Sequence, residues 1–336
     1  MDCAENPLSS PPTDDPLPAD FHCPVLPLAA IRVDGPERSG FLQGQLTHDL
    51  RLLGAGRALR AAQCSPKGRV LALARLFERD GAIFLLLPET LVEGTLKRLR
   101  MYVLRARVTL AAVAPDELRC SGVAGERAAA ALAAHCGAVP AAADGVVSAA
   151  GLTVIRERGP RPRFSVLGAP PALDALHAAL AAHAPTLDAD AWRLAAILAG
   201  EPQVHPATVE AFVPQMLNLD ALDGVSFAKG CYTGQEIIAR AQYLGRIKRR
   251  LLIARVTAGE VPAAGTGLWS PAAGEAQEAG TVVEAAPHPA GGYVLSAVVP
   301  VELAAAGGLR VGSADGPPLQ PLALPYALPE GGAAPS

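Results

Sequence analysis

Aromatic residues are scarce in this chain: seven Phe, five Tyr and two Trp, 4% of 336 residues. A surface that grips single-stranded nucleic acid by stacking needs rings interleaved with cations, and so few rings argue against one. Net charge is also missing. The 29 Lys and Arg nearly balance the 32 Asp and Glu, leaving −3, which gives no global pull toward nucleic acid or anionic membrane. No apolar run reaches the roughly 18 residues of a spanning helix, so no membrane span is expected. The six cysteines (Cys3, Cys23, Cys64, Cys120, Cys136 and Cys231) include no CxxC pair. Their spacing matches neither a zinc site nor an iron–sulfur cluster. The N-terminal stretch lacks the basic start and apolar core of a signal peptide. Residues 1–24 read as an unstructured lead and residues 329–336 as an unstructured tail. Reduced thiols and a cytoplasmic location are the expectation.

What is present is ample core. Half of the residues are hydrophobic and 18% are charged, enough for two or three domains at this length. A strand is expected over residues 29–33. A helix should follow Asp34-Gly35-Pro36, carry Phe41, Leu42, Leu46, Leu50 and Leu53 at helical spacing, and end at Gly54. Residues 70–77 and 83–87 flank Asp80-Gly81 as a hairpin. A helix begins after Pro88, and a strand covers residues 107–113. Helices are expected over residues 124–134, 172–182 and 190–198, and strands over 152–155 and 164–167. From about Lys248 helix signals vanish, and short apolar runs alternate with Gly and Pro, as in a small β-barrel or sandwich. The reading is therefore α+β with mostly antiparallel sheets. Residues 25–244 form the mixed region, a boundary falls near Gly245, and residues 245–328 form an all-β unit.

One octapeptide stands out: Lys229-Gly230-Cys231-Tyr232-Thr233-Gly234-Gln235-Glu236. Thr233 and Glu236 have the spacing of a capping box, and Ile237-Ile238 begins an apolar helix face. Cys231 would sit just ahead of a helix start, near unpaired N–H groups and the positive dipole end. Lys229 would add a cation. Both favour thiolate over thiol, so Cys231 is the expected reactive group.

Other segments, in order, carry a family resemblance. Phe41 to Asp49 resembles an FLQGQxTxD signature, and Pro66-Lys67-Gly68-Arg69 a PKGR segment. Trp192-Arg193-Leu194 with Ala199-Gly200-Glu201-Pro202 resembles RIxAGIP. Val213 to Asp220 resembles VPQExNLD, and the octapeptide matches KGCYTGQE without a mismatch. The chain is thereby similar to the YgfZ branch of the folate-binding proteins related to the glycine-cleavage aminomethyltransferase. The resemblance implies an aminomethyltransferase-like, cloverleaf α+β fold around a central channel, with a C-terminal β-barrel. It implies tetrahydrofolate or a derivative as ligand, and Cys231 as the residue on which function depends. It also implies support of iron–sulfur cluster assembly or repair, with tRNA-thiolating iron–sulfur enzymes as partners; the basic clusters of the chain allow weak tRNA contact besides. Where the transferase relatives carry an acidic pair, this chain has Ala72 and Leu73, which cannot move protons. A folate-dependent aminomethyl transferase is thus the lesser alternative, and a tRNA-binding module another.

Several residues could hold the folate. Trp192 offers a flat apolar face to a pteridine. Asn218 and Asp220 offer donors and acceptors to its edge, although turn chemistry explains them equally well. Lys229, Gly230, Tyr232 and Gln235 of the octapeptide are expected at the same site. Lys67, Arg69 and Arg246 are cations suited to the glutamate tail, or to RNA phosphates.

Overall fold

The computed structural model describes residues 15–243, 246–273 and 278–329. The boundary expected at Gly245 falls outside them, as do the first 14 residues and residues 330–336. Among the described residues the named strands form three antiparallel sheets.

The first sheet has the spatial order Leu59–Cys64, Val70–Arg79, Ala82–Pro88, Leu28–Asp34, Thr109–Ala112. Its central hairpin turns at Asp80-Gly81, both at positive φ (50° and 74°), the pair of left-handed residues that matches strand twist. Helix Glu89–Arg100 buries Leu91, Val92, Leu96 and Leu99, one stripe at helical spacing, against the core of this sheet.

The second sheet runs Phe21–Cys23, Arg119–Ala124, Arg163–Gly168, Leu152–Arg156, Val146–Ala149. Side chains alternate between its faces. Phe164 and Val166 meet helices Glu126–Cys136 and Pro170–Leu180 through Leu132, Leu173 and Leu176. Leu167 and Ile155 point the other way, toward helix Ala189–Leu198. Asp188 starts that helix by accepting from the amides of Asp190 and Ala191, which fixes the direction of Trp192 one turn on.

The third sheet has six strands, Arg310–Val311, Gly267–Trp269, Gly280–Pro287, Tyr293–Pro300, Arg249–Val256, Leu319–Leu322. Its outer strands come together: Arg310 bridges Pro318, and the Leu319 amide donates to Leu309 O at 2.8 Å. The sheet curls into a partly closed barrel around Val256, Leu268, Leu295 and Val299.

Two expectations need correction. The long helix after Pro36 is only Arg38–Gln43, followed by a separate 3-10 turn, Leu50–Leu52. Sheet pairing takes the residues between them. Thr47 N donates to Ala62 O, Thr47 Oγ1 accepts from Ala62 N, and Leu46 bridges Gln63. The second error is at the lead, where Phe21–Cys23 forms an edge strand on Arg119–Ala124. In the C-terminal segment, Tyr326 OH donates to Gly200 O at 2.8 Å.

Candidate functional site

The three sheets and helix Ala189–Leu198 border one cleft, with about 950 Å³ of empty space including its open mouth. Leu26, Leu28, Leu73, Leu86 and Trp192 give it apolar walls. Trp192 is pressed between the Arg163 guanidinium, 5.2 Å from its ring centroid, and strand Arg119–Ala124. That close approach requires Gly122: a Cβ there would lie 2.4 Å from the indole.

The polar floor is a lattice of buried charges. Arg60 donates to Glu201 Oε1 at 2.7 Å, and Arg163 to Glu201 Oε2 at 2.9 Å. Arg75 lies 3.3 Å from Glu157, pairs with Asp144 as well, and Ser165 Oγ donates to Glu157 at 2.7 Å. Buried ions persist only when paired in this way. Burial pushes the Glu201 carboxyl up, but Arg60, Arg163 and Arg75 outweigh it and hold the group below the usual carboxylate range. On the opposite wall His205 Nε2 lies 3.4 Å from Glu284 Oε2.

The octapeptide forms a second locale. Lys229 and Tyr232 are buried, while Gly230 and Cys231 are exposed. The Lys229 ammonium donates to three backbone carbonyls, of Gln43 and Leu46 at 2.6 Å and of His48 at 2.9 Å. It also stands 4.8 Å from the Tyr232 ring centroid. The ammonium thus bonds the backbone and not the Cys231 side chain. All three of its protons are taken by carbonyls, and its role is to strap the loop to the segment after helix Arg38–Gln43. Burial lowers its amine to about 8, with Asp49 acting in the opposite sense.

The capping box is also corrected. The helix is Gln235–Tyr243 and Gly234, at φ 83°, precedes it. Among the described residues neither Thr233 nor Glu236 makes the reciprocal side-chain bonds. What fixes the helix start is backbone contact: a Cβ on Gly234 would fall 2.4 Å from Ser65 O and 3.0 Å from Gly68 Cα. The Pro66-Lys67-Gly68-Arg69 turn thus packs directly on the octapeptide, joining two motifs far apart in sequence. Of the five described cysteines only Cys231 is exposed. Burial pushes the Cys23 and Cys64 thiols up to about 12 and raises those of Cys120 and Cys136 as well.

The expected site residues thus separate. Trp192 lines the cleft; the others do not. Asn218, at φ 56°, ends the 3-10 turn Pro214–Leu217, and its amide donates to Leu251 O at 3.0 Å and Tyr326 OH at 3.3 Å. Asp220 takes both arms of Arg250, at 2.6 and 2.8 Å. These two residues tie the loop to strand Arg249–Val256. Arg69 donates to Ala211 O at 2.6 Å, Gln235 is half-buried, and Lys67 and Arg246 are exposed. Sequence reasoning missed Arg60, Arg75, Glu157, Arg163, His205 and Glu284. They come from separate strands and loops with no local motif, and Glu201 alone lay within a quoted segment.

Three antiparallel sheets around a cleft, the last of them curled, define an aminomethyltransferase-like fold. The fold matches the glycine cleavage system aminomethyltransferase T of Bartonella henselae with a TM-score of 0.66, covering 95% of this chain and 89% of that one. At 16% identity the likeness is one of fold. The sequence is nearer to another group. It is 34% identical over 320 residues to the tRNA-modifying protein YgfZ of Sodalis glossinidius, covering 94% of this chain and 97% of that one. Against YgfZ of Klebsiella pneumoniae it is 37% identical over 257 residues, 76% and 78% of the two chains. Against that of Colwellia psychrerythraea it is 35% identical over 235 residues, 70% and 71%. The chain belongs to the YgfZ family. No family model matches it.

Proposed function

We propose that this chain is a folate-binding accessory protein of tRNA modification. Tetrahydrofolate or a derivative occupies the cleft, and Cys231 is the thiol that serves iron–sulfur enzymes acting on tRNA in the cytoplasm. The observation that carries the reading is the cleft itself. Its cavity of about 160 Å³ opens to solvent where the sheets meet. One wall includes the indole of Trp192, and the floor is polar but internally neutralised. The relatives' name, tRNA-modifying protein, supplies the biological context. When bound, tetrahydrofolate supplies a one-carbon carrier. The chain's own part is to hold the ring against Trp192 and exclude water with the leucine walls. Leu73 lines the cleft where the transferase relatives carry acid, which favours an accessory role over aminomethyl transfer. Lys67, Arg69, Arg246 and the octapeptide residues lie outside the ring site in this reading, and Asn218 and Asp220 act by holding the loop.

Calorimetric titration with tetrahydrofolate tests the ligand. Trp192→Phe is expected to weaken binding about threefold to tenfold, from lost ring overlap, and Cys231→Ala to leave it unchanged. Complementation tests the thiol. In cells lacking the gene, wild type should restore iron–sulfur-dependent tRNA thiolation and Cys231→Ala should not; full restoration by the variant rejects the role of Cys231.

A further inference from the structure

Charge in the cleft is matched nearly group for group, and one oxygen is left over. Arg60, Arg75 and Arg163 satisfy Glu157 and Glu201. Glu284 enters from the third sheet, only 5% exposed. His205 approaches its Oε2, while Oε1 is buried with no partner. Buried polar atoms in native proteins are nearly always bonded, so an orphaned carboxylate oxygen lining a cleft marks a place for a ligand's donor.

The backbone is shaped to put it there. Strand Gly280–Pro287 pairs with Tyr293–Pro300, and the register shifts between Val282 and Glu284. Val282 and Ala285 pack inside the barrel. Strict alternation would send Glu284 inward beside Val282. The extra residue reverses this: Val283 points out into the core of the first sheet, Ala286 into that of the second, and Glu284 into the cleft between. Re-aiming one side chain is a recurring use of such bulges. Ser296, directly across the ladder, leaves Glu284 unbonded and has no partner of its own. Among the other lining residues, Arg60 Nε and Arg75 Nε are likewise buried and unpartnered. The cleft lining therefore holds an unbonded carboxylate oxygen, unbonded guanidinium donors and one aromatic side chain. A planar heterocycle with adjacent N–H donors and a neighbouring oxo group, the 2-amino-4-oxo edge of a reduced pterin, has the complementary pattern.

The geometry points to Glu284 as the residue that reads the 2-amino and N3–H edge of the pterin, with His205 positioning it through the second oxygen. This rests on the folate reading above and assigns the ring's orientation within it. Glu284 selects for the 2-amino group, and its removal costs affinity only for ligands that carry that group.

The test is calorimetry on the full chain with tetrahydrofolate and its 2-desamino analogue. Glu284→Gln keeps the shape but removes the charge, and should weaken tetrahydrofolate about 10- to 100-fold, as for a lost hydrogen bond to a charged group. The analogue should bind the variant and wild type within about threefold. Glu284→Asp, which keeps the charge on a shorter arm, should show the same ligand selectivity to a smaller degree, and serves if the glutamine variant does not fold. Wild-type affinity of both variants for tetrahydrofolate overturns the assignment and leaves the folate reading intact. Equal weakening of both ligands overturns it too, because the effect would then be structural. No binding of tetrahydrofolate by wild type overturns both.

Discussion

The cleft and the octapeptide loop each bury cations, and they do so in opposite ways. In the cleft, Arg60, Arg75 and Arg163 are paired with carboxylates. In the loop, the Lys229 ammonium is surrounded by three neutral carbonyls. The residue types suit the tasks. An arginine stays charged and forks between two carboxylates, whereas a lysine is a compact charge with three divergent donors. The cleft is thereby a rigid, nearly neutral surface with few free hydrogen-bonding atoms, which suits ligand recognition. The loop is a backbone pinned from within, so that Gly230 and Cys231 are held outward. Ligand holding and thiol presentation are built from separate parts of the molecule.

The sharpest way to break this comparison is to unpair the cleft. Glu201→Ala strands Arg60 and Arg163, and about 3–5 kcal/mol of stability should be lost, as for removal of one partner from a buried pair. Cys231→Ala, at an exposed position, should stay within about 0.5 kcal/mol of wild type. Urea denaturation measures both, and equal losses would mean that the lattice does not hold the cleft together.

The next effect is at the strap. Lys229→Met leaves three buried carbonyls without a donor, which should cost roughly 2–3 kcal/mol. Lys229→Arg should not restore the loss, since a planar fork does not converge three donors on these carbonyls. The strap also has a pH signature. The folded amine sits at about 8, and in the unfolded chain near the ordinary value of about 10.4. Between these values the unfolded chain binds more protons, so this group makes stability rise with pH. The rise is complete above the upper value, and below the lower one this group no longer makes stability depend on pH. Wild type minus Lys229→Met, followed by denaturation from pH 7 to 11, isolates that slope; parallel curves would contradict it.

The smallest perturbation is chemical. Under native conditions an alkylating reagent should modify Cys231 at least about tenfold faster than Cys23, Cys64, Cys120 and Cys136, because burial both shields those thiols and suppresses their thiolates. Peptide mass spectrometry before and after denaturation checks this, and equal native rates would remove the distinction between the two regions.

Much of the architecture was legible in local pattern. The Asp80-Gly81 hairpin, the helix after Pro88 and the mainly β character beyond Lys248 follow from turn chemistry and periodicity, which act over a few residues, although the expected all-β unit also holds the short helix Val301–Ala306. The helix expected through Leu53 failed because apolar spacing cannot register that Thr47 meets Ala62 across a sheet edge. Asn218 and Asp220 are expected ligand contacts because polar residues after a proline invite that reading; the partners they bond in the fold, Leu251, Tyr326 and Arg250, are 30 or more residues away and outside the reach of local pattern.

The chain's kinship, its α+β character and the identity of its one prominent thiol were set by residue order alone, because motifs and short-range periodicity are properties of neighbouring residues. Which cysteine faces water, what Lys229 bonds to, and how Trp192, Glu201 and Glu284 share one cleft were decided only in three dimensions. Each depends on burial and on pairs brought together from different sheets, and the energy of a buried charge is set by what surrounds it in space.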